Sequence, residues 1–291
     1  MPRRWALFTR SPNSTCALSA RYLPISLPCW MFWSVKTPCG PMNFIEPDWP
    51  APANVLAMTT LRSGGSSSGP YASLNLADHV EDDSVSVAAN RAALERRLPA
   101  GCRLQWLEQV HGNRVINAGA AGTSCADASW SRDCGQACVV MTADCLPVLF
   151  CSRSGEVVAA AHAGWRGLLA GVLENTVAAM GARPADILAW LGPAIGPAAF
   201  EVGPEVRAAF LADAGGDQIA AIEASFVPSR QNQGHYLADL YALARVRLGA
   251  LTKSNIFGGD YCTYADSARF FSYRRDGRTG RMASIIVRTP A

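Results

Sequence analysis

The sequence predicts one α/β domain with a mixed β-sheet over residues 42–291, and three observations carry this prediction. Hydrophobic residues make up 49% of the 291-residue chain and charged residues 17%, which is typical of a folded chain with a core and not of a disordered one. Short apolar strands are interspersed with segments of helical spacing. No repeat or linker divides them, and some 250 residues suit a single domain.

The domain begins with a predicted strand at residues 55–61. The Gly/Ser-rich loop that follows, residues 63–70, would either cradle an anion with its backbone N–H groups or form a plain turn. Asp82 and Asp83 are N-cap residues for a helix over residues 85–98, because a side-chain oxygen at this position accepts a bond from the first helical N–H groups.

The centre of the domain is predicted as a series of strands and one helix. A strand over residues 105–110 ends at His111, and His162 closes the last of three short apolar strands. Those three strands cover residues 137–142, 147–151 and 156–161. Apolar residues at helical spacing then predict a helix up to Met180, and Gly181 suits the position after its end.

The last part of the domain is predicted to contain two helices and three strands. Pro204 is well placed in the first turn of a helix that runs to about residue 212, and apolar spacing marks a second, longer helix. The remaining predicted elements are the strand at 187–191, the helix at 237–251 and the closing strands at 270–273 and 283–287.

Residues 1–41 differ in charge from the rest of the chain. They hold five of the 26 basic residues and none of the 23 acidic ones, which leaves residues 42–291 with 21 basic and 23 acidic groups. The segment has no clean apolar core of a signal peptide, and its prolines oppose an amphipathic helix. We expect it to be a non-native or disordered extension, with Met42 opening the domain. The basic pI then gives no reason to expect nucleic-acid binding.

The chain is expected to be cytoplasmic, with reduced cysteines and no membrane span. Its longest apolar runs are far shorter than the roughly 20 residues that a membrane helix needs. No feature of the domain marks it as secreted, and the seven cysteines after Met42 do not form the paired spacing of a structural zinc site.

Three residues are placed where a strand or turn delivers a side chain to the rim of a sheet, namely His111, Cys145 and His162. Two imidazoles and one thiolate make a zinc ligand set that leaves a fourth position open. Alternatively, Cys145 is a nucleophile and one histidine is its base. The residues themselves leave these alternatives open, together with an ordinary structural role at the ends of strands.

Seven strings of the sequence together resemble one known family, in order from about Met42 to Val287. They are TTLRSGG (59–65), GPYASLNL (69–76), QVHG (109–112), TADCLP (142–147), HAGWRG (162–167), LGPAIG (191–196) and FSYRRDGRTGR (271–281). This pattern resembles the YfiH family, also called the laccase-domain or multicopper polyphenol oxidase family. One departure is Leu61, which stands where the family has arginine, so that Arg62 comes one residue later.

The resemblance implies an α+β fold, a single-domain sandwich with mixed β-sheets related to cytotoxic necrotizing factor and to a group of cysteine hydrolases. It implies zinc bound by His111, Cys145 and His162, and phosphorolysis of adenosine, inosine and methylthioadenosine with adenosine deamination as a side activity. Cys145, His162 and Asp144 are the catalytic candidates, since a carboxylate beside the cysteine could orient a ligand or take a proton.

Phosphorolysis also needs an anion site, for which Arg62 and Arg274 are the main candidates and Arg166 a further one. Asn75 is a candidate to hydrogen-bond the sugar or base, and His79 is a weaker candidate for the same pocket. The expected partners are a nucleoside and phosphate, with no nucleic acid and no membrane, and the chain is expected to be a monomer or small homo-oligomer.

Two alternatives use the same residues. One is an amidase that edits a peptidoglycan precursor, and the other is a copper-dependent polyphenol oxidase, both implied by the same resemblance. A multicopper centre needs many imidazoles, whereas this chain has four histidines and no His-x-His pair. A single copper in place of zinc would still find its ligands in His111, Cys145 and His162.

Overall fold

The structure, a computed structural model, describes residues 42–121, 124–249 and 253–290. The expected extension at residues 1–41 lies outside the described residues. The strands are β1 (Phe44–Ile45), β2 (Val55–Thr60), β3 (Arg103–Gln105), β4 (Val115–Asn117), β5 (Ala128–Ser131), β6 (Gln136–Thr142), β7 (Leu146–Ser152), β8 (Val158–Ala163), β9 (Ile187–Leu191), β10 (Glu201–Val202), β11 (Phe226–Pro228), β12 (Tyr236–Ala238), β13 (Ile256–Gly258) and β14 (Met282–Arg288).

The described residues form α-helices and short 3-10 helices. The 3-10 helices are at Gly69–Tyr71, Pro184–Asp186 and Lys253–Asn255. The α-helices are α1 (Ser84–Glu95), α2 (Trp165–Leu169), α3 (Val172–Met180), α4 (Pro204–Asp213), α5 (Ile219–Ala224), α6 (Leu240–Arg247) and α7 (Tyr273–Asp276). No helix among the described residues is both long and apolar enough to cross a membrane.

The strands form two large sheets and one small one. The first has five strands in the order β1-β2-β14-β6-β3, the second six in the order β13-β9-β7-β8-β5-β4, and the small one three in the order β10-β12-β11. Both large sheets are mixed, because β3 runs parallel to β6, β4 to β5 and β13 to β9, while their other pairs are antiparallel. The predicted α+β class with mixed sheets is confirmed.

Alternating side chains divide the core into layers. On β6, Cys138 and Val140 join residues of the second sheet in one cluster, whereas Val139 and Met141 pack with Leu94 of α1 in another. The outer residues of the second sheet, such as Phe150, pack against α2, α3, α4 and α6. The two large sheets therefore face each other with helices outside. Their central strands are buried on both faces and read as continuous apolar runs.

Two predicted strands were wrong. The strand over 105–110 ends already at Gln105, because the N–H groups of residues 110–112 bond the buried carboxylate of Asp127 instead of a neighbouring strand. The strand over 270–273 does not form either. Phe270 and Phe271 are buried in the core between the sheets, and Tyr273 begins α7.

Several other boundaries moved for local reasons. Gly171, in the left-handed region with φ +85°, divides the predicted helix 168–180 into α2 and α3. The helix at 237–251 begins only at Leu240, because residues 236–238 pair in the small sheet. The third central strand lies two residues later than predicted, so that His162 sits within β8 and not at its end.

The Gly/Ser-rich loop uses three of its backbone N–H groups within the protein. Its N–H groups at Gly65 and Ser67 bond the hydroxyl and the carbonyl of Ser73, and the N–H of Ser66 bonds the Asn90 side chain. With these three donors used inside the protein, the structure favours the interpretation of this loop as a turn.

Candidate active site

His111, Cys145 and His162 come together at one end of the sandwich. One ligand atom from each lies within 4.8 Å of the others, and the two imidazole centroids are 4.8 Å apart. His111 is on the loop between β3 and β4, Cys145 is in the turn that links β6 to β7, and His162 is in β8. The structure thus brings together the three predicted metal ligands, which lie 34 and 17 residues apart in the sequence.

A buried carboxylate that was not among the predicted site residues holds two of the ligands in place. Asp127 Oδ1 lies 2.8 Å from His162 Nδ1 and accepts the His111 backbone N–H at 2.9 Å, and Oδ2 accepts the Gly112 N–H at 2.7 Å. A carboxylate on Nδ1 fixes the ring and leaves Nε2 for a metal ion. Asp127 lies just before β5 and belongs to no recognisable sequence motif. Its partner His162 lies in β8, and only the pairing of β5 with β8 brings the two residues together.

The protonation states at this cluster favour a thiolate. Burial opposes ionisation of Cys145, but the neighbouring His162 and His111 outweigh it and hold the pKa of the thiol below its ordinary value. Burial likewise disfavours the charged form of His162, but Cys145 and Asp127 outweigh it and raise the pKa of the imidazole. The thiolate is the form of cysteine that binds metal or acts as a nucleophile. Metal binding would release the proton from His162.

A glycine makes the close approach of the ligands sterically possible. A Cβ at Gly164 would lie 2.8 Å from His111 Nδ1 and 3.0 Å from Cys145 Sγ, closer than side chains tolerate. Backbone conformation is also unusual here, since His111 and Asp144 have φ of +59° and +95°. Residues other than glycine rarely adopt this left-handed region, and such strain is concentrated at functional sites.

The three ligands open into a cavity of about 610 Å³, a size suited to a small molecule. Its wall combines the ligand cluster with basic, aromatic and hydrogen-bonding side chains. The lining residues are His79, Gln109, His111, Met141, Thr142, Ala143, Asp144, Cys145, His162, Trp165, Arg166, Ile195, Phe200, Tyr273, Arg274 and Arg281.

Asp144 lines this cavity, as predicted, but protein donors use its carboxylate. Oδ1 accepts the Thr263 hydroxyl at 2.6 Å and Oδ2 accepts the Arg274 backbone N–H at 2.6 Å. Its carbonyl also accepts the Ile195 N–H. Asp144 thus ties the turn that carries Cys145 to the start of α7. This geometry supports a positioning part more directly than proton transfer, and its catalytic role stays a prediction.

Arg62, by contrast, does not line the cavity. Nε and Nη2 donate to the Ala72 carbonyl at 3.2 Å and Nη1 donates to the Ser267 carbonyl at 2.9 Å. The guanidinium also lies over the Phe271 ring at 4.8 Å, and burial lowers its pKa. These contacts join three loop segments, so the structure does not place Arg62 where it would contact phosphate in this cavity.

Asn75 also lies outside the cavity lining. It is fully buried, and its amide nitrogen donates to the Ala77 carbonyl and to Asp82 Oδ2, both at 2.9 Å. Its amide oxygen accepts the N–H groups of Ala77 and Arg281. With its hydrogen-bonding groups used in this way, Asn75 holds the backbone of a cavity residue instead of reaching the cavity itself.

The arginines that do line the cavity are Arg166, Arg274 and Arg281, of which the last was not among the predicted candidates. Arg166 lies over the Trp165 ring at 4.4 Å, and Arg274 Nη1 donates to the Glu201 carbonyl at 2.9 Å. His79 is at the cavity too, half-exposed, with Nδ1 3.5 Å from Asp78. The signal for Arg281 was present in the string FSYRRDGRTGR, where it is the last of four arginines.

Comparison with known proteins identifies the family. A family model described as multi-copper polyphenol oxidoreductase laccase matches residues 56–289. "Purine nucleoside phosphorylase YfiH" of Escherichia coli is 53% identical over 246 residues, covering 84% of this chain and 98% of that protein. The chain belongs to the YfiH family.

Other YfiH-family relatives agree in sequence and structure. "Purine nucleoside phosphorylase PA4543" of Pseudomonas aeruginosa is 56% identical over 243 residues, covering 84% of this chain and 97% of that protein. The crystal structure of a Neisseria meningitidis protein superposes with a TM-score of 0.78 at 48% identity, covering 85% of this chain and all of that one. YlmD from Geobacillus stearothermophilus gives 0.74 at 32% identity, covering 85% and 96%. The predicted family and fold are confirmed.

The donor set of this YfiH-family chain fits one metal ion with an open position. Two imidazoles and a thiolate suit zinc, and they also suit a single copper. The sequence has only four histidines, and the structure places His79 away from the ligand cluster and His235 outside the cavity lining. The residues do not fit the several copper ions that the name of the matching family model implies.

Proposed function

We propose that the chain is a zinc-dependent purine nucleoside phosphorylase acting on adenosine, inosine and methylthioadenosine. The observation that carries the proposal is a His/Cys/His cluster with an open position, set in a cavity that three arginines also line. Relatives whose length this chain covers almost completely are named purine nucleoside phosphorylases, which supports an enzyme of that kind.

His111, Cys145 and His162 would hold the zinc ion. When bound, zinc supplies a Lewis acid and lowers the pKa of a coordinated water. The chain prepares this site in advance, since Asp127 orients His162 and the loop of His111, and Gly164 leaves room for them. A ligand set held this firmly loses little freedom when the ion binds.

The reaction requires phosphate and the nucleoside side by side. An oxygen of hydrogen phosphate forms a bond to C1′ of the ribose while the bond from C1′ to the purine breaks. The electron pair goes to the purine nitrogen, which ends with the proton that hydrogen phosphate carried, and ribose 1-phosphate is released. Arg166, Arg274 and Arg281 would bind the anion, because guanidinium forks match phosphate oxygens.

The aromatic part of the wall would hold the base. Trp165, Phe200 and Tyr273 line the cavity, and the Tyr273 side chain is exposed, so its ring is accessible to a ligand. Aromatic faces stack on purines with little dependence on their substituents. Such a surface is compatible with adenosine, inosine and methylthioadenosine alike.

Adenosine deamination as a side activity would use the same cavity. Water adds to C6 of the purine, the C6–N bond breaks and ammonia leaves, so no phosphate is consumed. Phosphate dependence therefore separates the two reactions: deamination yields inosine without phosphate, whereas phosphorolysis yields a free base and ribose 1-phosphate only with it.

The test is product analysis on purified protein with each of the three nucleosides, with and without phosphate, together with metal analysis. Cys145→Ala is expected to abolish zinc binding and turnover together. Cys134→Ala is the matched control, because Cys134 is exposed and lies outside the cavity lining. Phosphorolysis by zinc-free Cys145→Ala protein would overturn the proposal.

The same assay separates the alternatives. Hydrolysis of an amide bond in a peptidoglycan precursor without phosphate, and no nucleoside turnover, would identify the amidase. Oxidation of a phenol that depends on copper and vanishes on zinc loading would identify the oxidase. Either result would replace the proposed activity while leaving the assignment of the metal ligands intact.

A further inference from the structure

Arg281 is a partly buried arginine that lines the cavity and has no carboxylate partner among the described residues. Among the described residues, no carboxylate oxygen lies within 4.0 Å of its guanidinium, and the hydrogen bonds made by Nη1 go to the carbonyls of Thr279 and Gly280 at 2.9 and 3.1 Å. Burial lowers its pKa. A partly buried charge is normally paired at close range with one of opposite sign, and an anion bound in the cavity would supply such a pair for Arg281.

The other two arginines of the cavity are placed differently. Arg166 and Arg274 are both exposed, and water screens their charges. Arg166 stacks on Trp165, and Arg274 lies 5.5 Å from the Phe200 ring centroid with Nη1 bonded to the Glu201 carbonyl. Arg281 is less exposed than the other two arginines, so water would screen its attraction to a bound anion least.

The acidic side chain that lines the cavity is directed elsewhere. Asp144 is among the charges that act on Arg281, but its two oxygens accept the Thr263 hydroxyl and the Arg274 N–H. The Tyr273 ring, 5.9 Å from the guanidinium carbon, covers Arg281 on one side. The protein therefore holds Arg281 in place through carbonyls and a ring, and leaves Nε and Nη2 without a protein acceptor among the described residues.

The position of Arg281 also sets it beside the metal ligands. It directly precedes Met282, which pairs with Thr142 across the β14–β6 ladder, and Cys145 follows three residues after Thr142. Cys145, His111, His162 and Arg281 all line the same cavity. Because Arg281 is less exposed than Arg166 and Arg274, an anion that it binds would lie at the inner end of the cavity that the cluster also lines.

We propose that Arg281 is the principal ligand of an inorganic phosphate subsite at the inner end of the cavity, with Arg274 and Arg166 at its rim. This rests on the proposed function for its role in turnover, but phosphate binding itself does not require turnover. Arg281 would present Nε and Nη2 to two phosphate oxygens, and the third and fourth oxygens would face the bound nucleoside.

The experiment measures phosphate alone by calorimetry on zinc-loaded protein, and then the KM values for phosphate and nucleoside separately. Arg281→Gln is expected to weaken phosphate binding and raise the phosphate KM on the order of tenfold or more, with the nucleoside KM near wild type. Arg281→Lys keeps the charge without the fork and should lie between. Arg278→Gln is the control, since Arg278 is exposed and bonds Tyr71 and the Glu81 carbonyl.

Each outcome bears on one proposal or the other. Phosphate binding unchanged in Arg281→Gln, or absent in wild type, overturns the subsite. Phosphate binding that needs Arg281 without any phosphorolysis supports the subsite and overturns the proposed function. If Arg281→Gln fails to fold or to retain zinc, the Arg281→Lys variant decides: a phosphate affinity equal to wild type overturns the subsite, and a weakened one supports it.

Discussion

Asp127 shows how one side chain can organise a site without being part of its surface. Its carboxylate is fully buried and serves His162 on one oxygen and the N–H groups of the His111 loop on both. Burial alone would raise its pKa, but the bonds from His162 and the backbone outweigh this and lower the pKa instead. Asp127 is therefore a carboxylate throughout the neutral range, and it can hold the imidazole in one orientation.

Replacing Asp127 by Asn is expected to lower zinc affinity about 10- to 100-fold, because the amide cannot accept from both His162 and the loop as a carboxylate does. The measurement is a competition titration against a chelator of known affinity. The surface variant Asp78→Asn, at a side chain 63% exposed, is the control. Equal zinc affinity in both variants would contradict the assigned part of Asp127.

The thiols of this protein should differ sharply in reactivity. Burial raises the pKa of Cys138 and of Cys151 to about 12, so at pH 8 about one thiol in ten thousand is ionised. We expect iodoacetamide to label the exposed Cys134 in folded protein and to spare Cys138 and Cys151 until urea unfolds the chain. Peptide mass spectrometry reads this out, and rapid labelling of Cys138 in folded protein would refute it.

At the level of elements, the connections of the sandwich carry the site. His111 lies on a loop, Cys145 in a turn between sheets and Gly164 at the start of α2, while the strands hold these segments at fixed distances. His111 and Asp144 have positive φ, which non-glycine residues normally avoid, so the surrounding structure holds them in conformations that their own sequence does not favour.

Gly164→Ala is expected to separate the ligands. The added Cβ would meet His111 Nδ1 and Cys145 Sγ at 2.8 and 3.0 Å, an overpacking that costs about 1–3 kcal/mol of stability and lowers zinc occupancy. Gly216→Ala adds the same methyl where no atom lies within 4 Å, so it should keep zinc and stability. The readouts are the zinc content of each purified variant and its unfolding temperature, and a zinc-replete Gly164→Ala protein would contradict the steric argument.

Sequence patterns predicted correctly those elements whose structure is set by local signals, such as an apolar run, a proline or a glycine. The strand over Ile187–Leu191 and the start of α4 at Pro204 agree with the predicted bounds, and Gly181 ends α3 in the left-handed conformation as expected. The strand over 270–273 was wrong because Phe270 and Phe271 fill the inter-sheet core from a loop, and an apolar run looks the same in both settings.

The site was predictable to the extent that its residues lie in short distinctive strings. His111, Cys145 and His162 each lie in such a string, and the structure brings the three side chains together. Asp127 could not be found, because its partners are residues that only β5–β8 pairing brings near. Arg62 lies in an equally distinctive string yet stays outside the cavity lining, since a recurring string can also preserve loop packing.

For the whole molecule, the described residues form one continuous sandwich from Met42 onward. The family model likewise matches this part of the chain, residues 56–289. A protein that begins at Met42 is therefore expected to unfold at the same temperature as the full chain and to turn over nucleosides equally fast. Differential scanning calorimetry and the phosphorolysis assay compare the two. A truncated chain that is insoluble or inactive would show that residues 1–41 are needed.

The turn that carries Cys145 links a strand of one large sheet to a strand of the other, while His162 belongs to the second sheet alone. A metal ion bound by Cys145 and His162 would therefore cross-link the turn between the two sheets to a strand of the second sheet. An unfolded chain cannot offer this site, so a thousandfold excess of free metal over its dissociation constant adds about 4 kcal/mol to the folded state. The abundance of the protein in a cell would then follow the supply of that metal, because proteases remove chains that open.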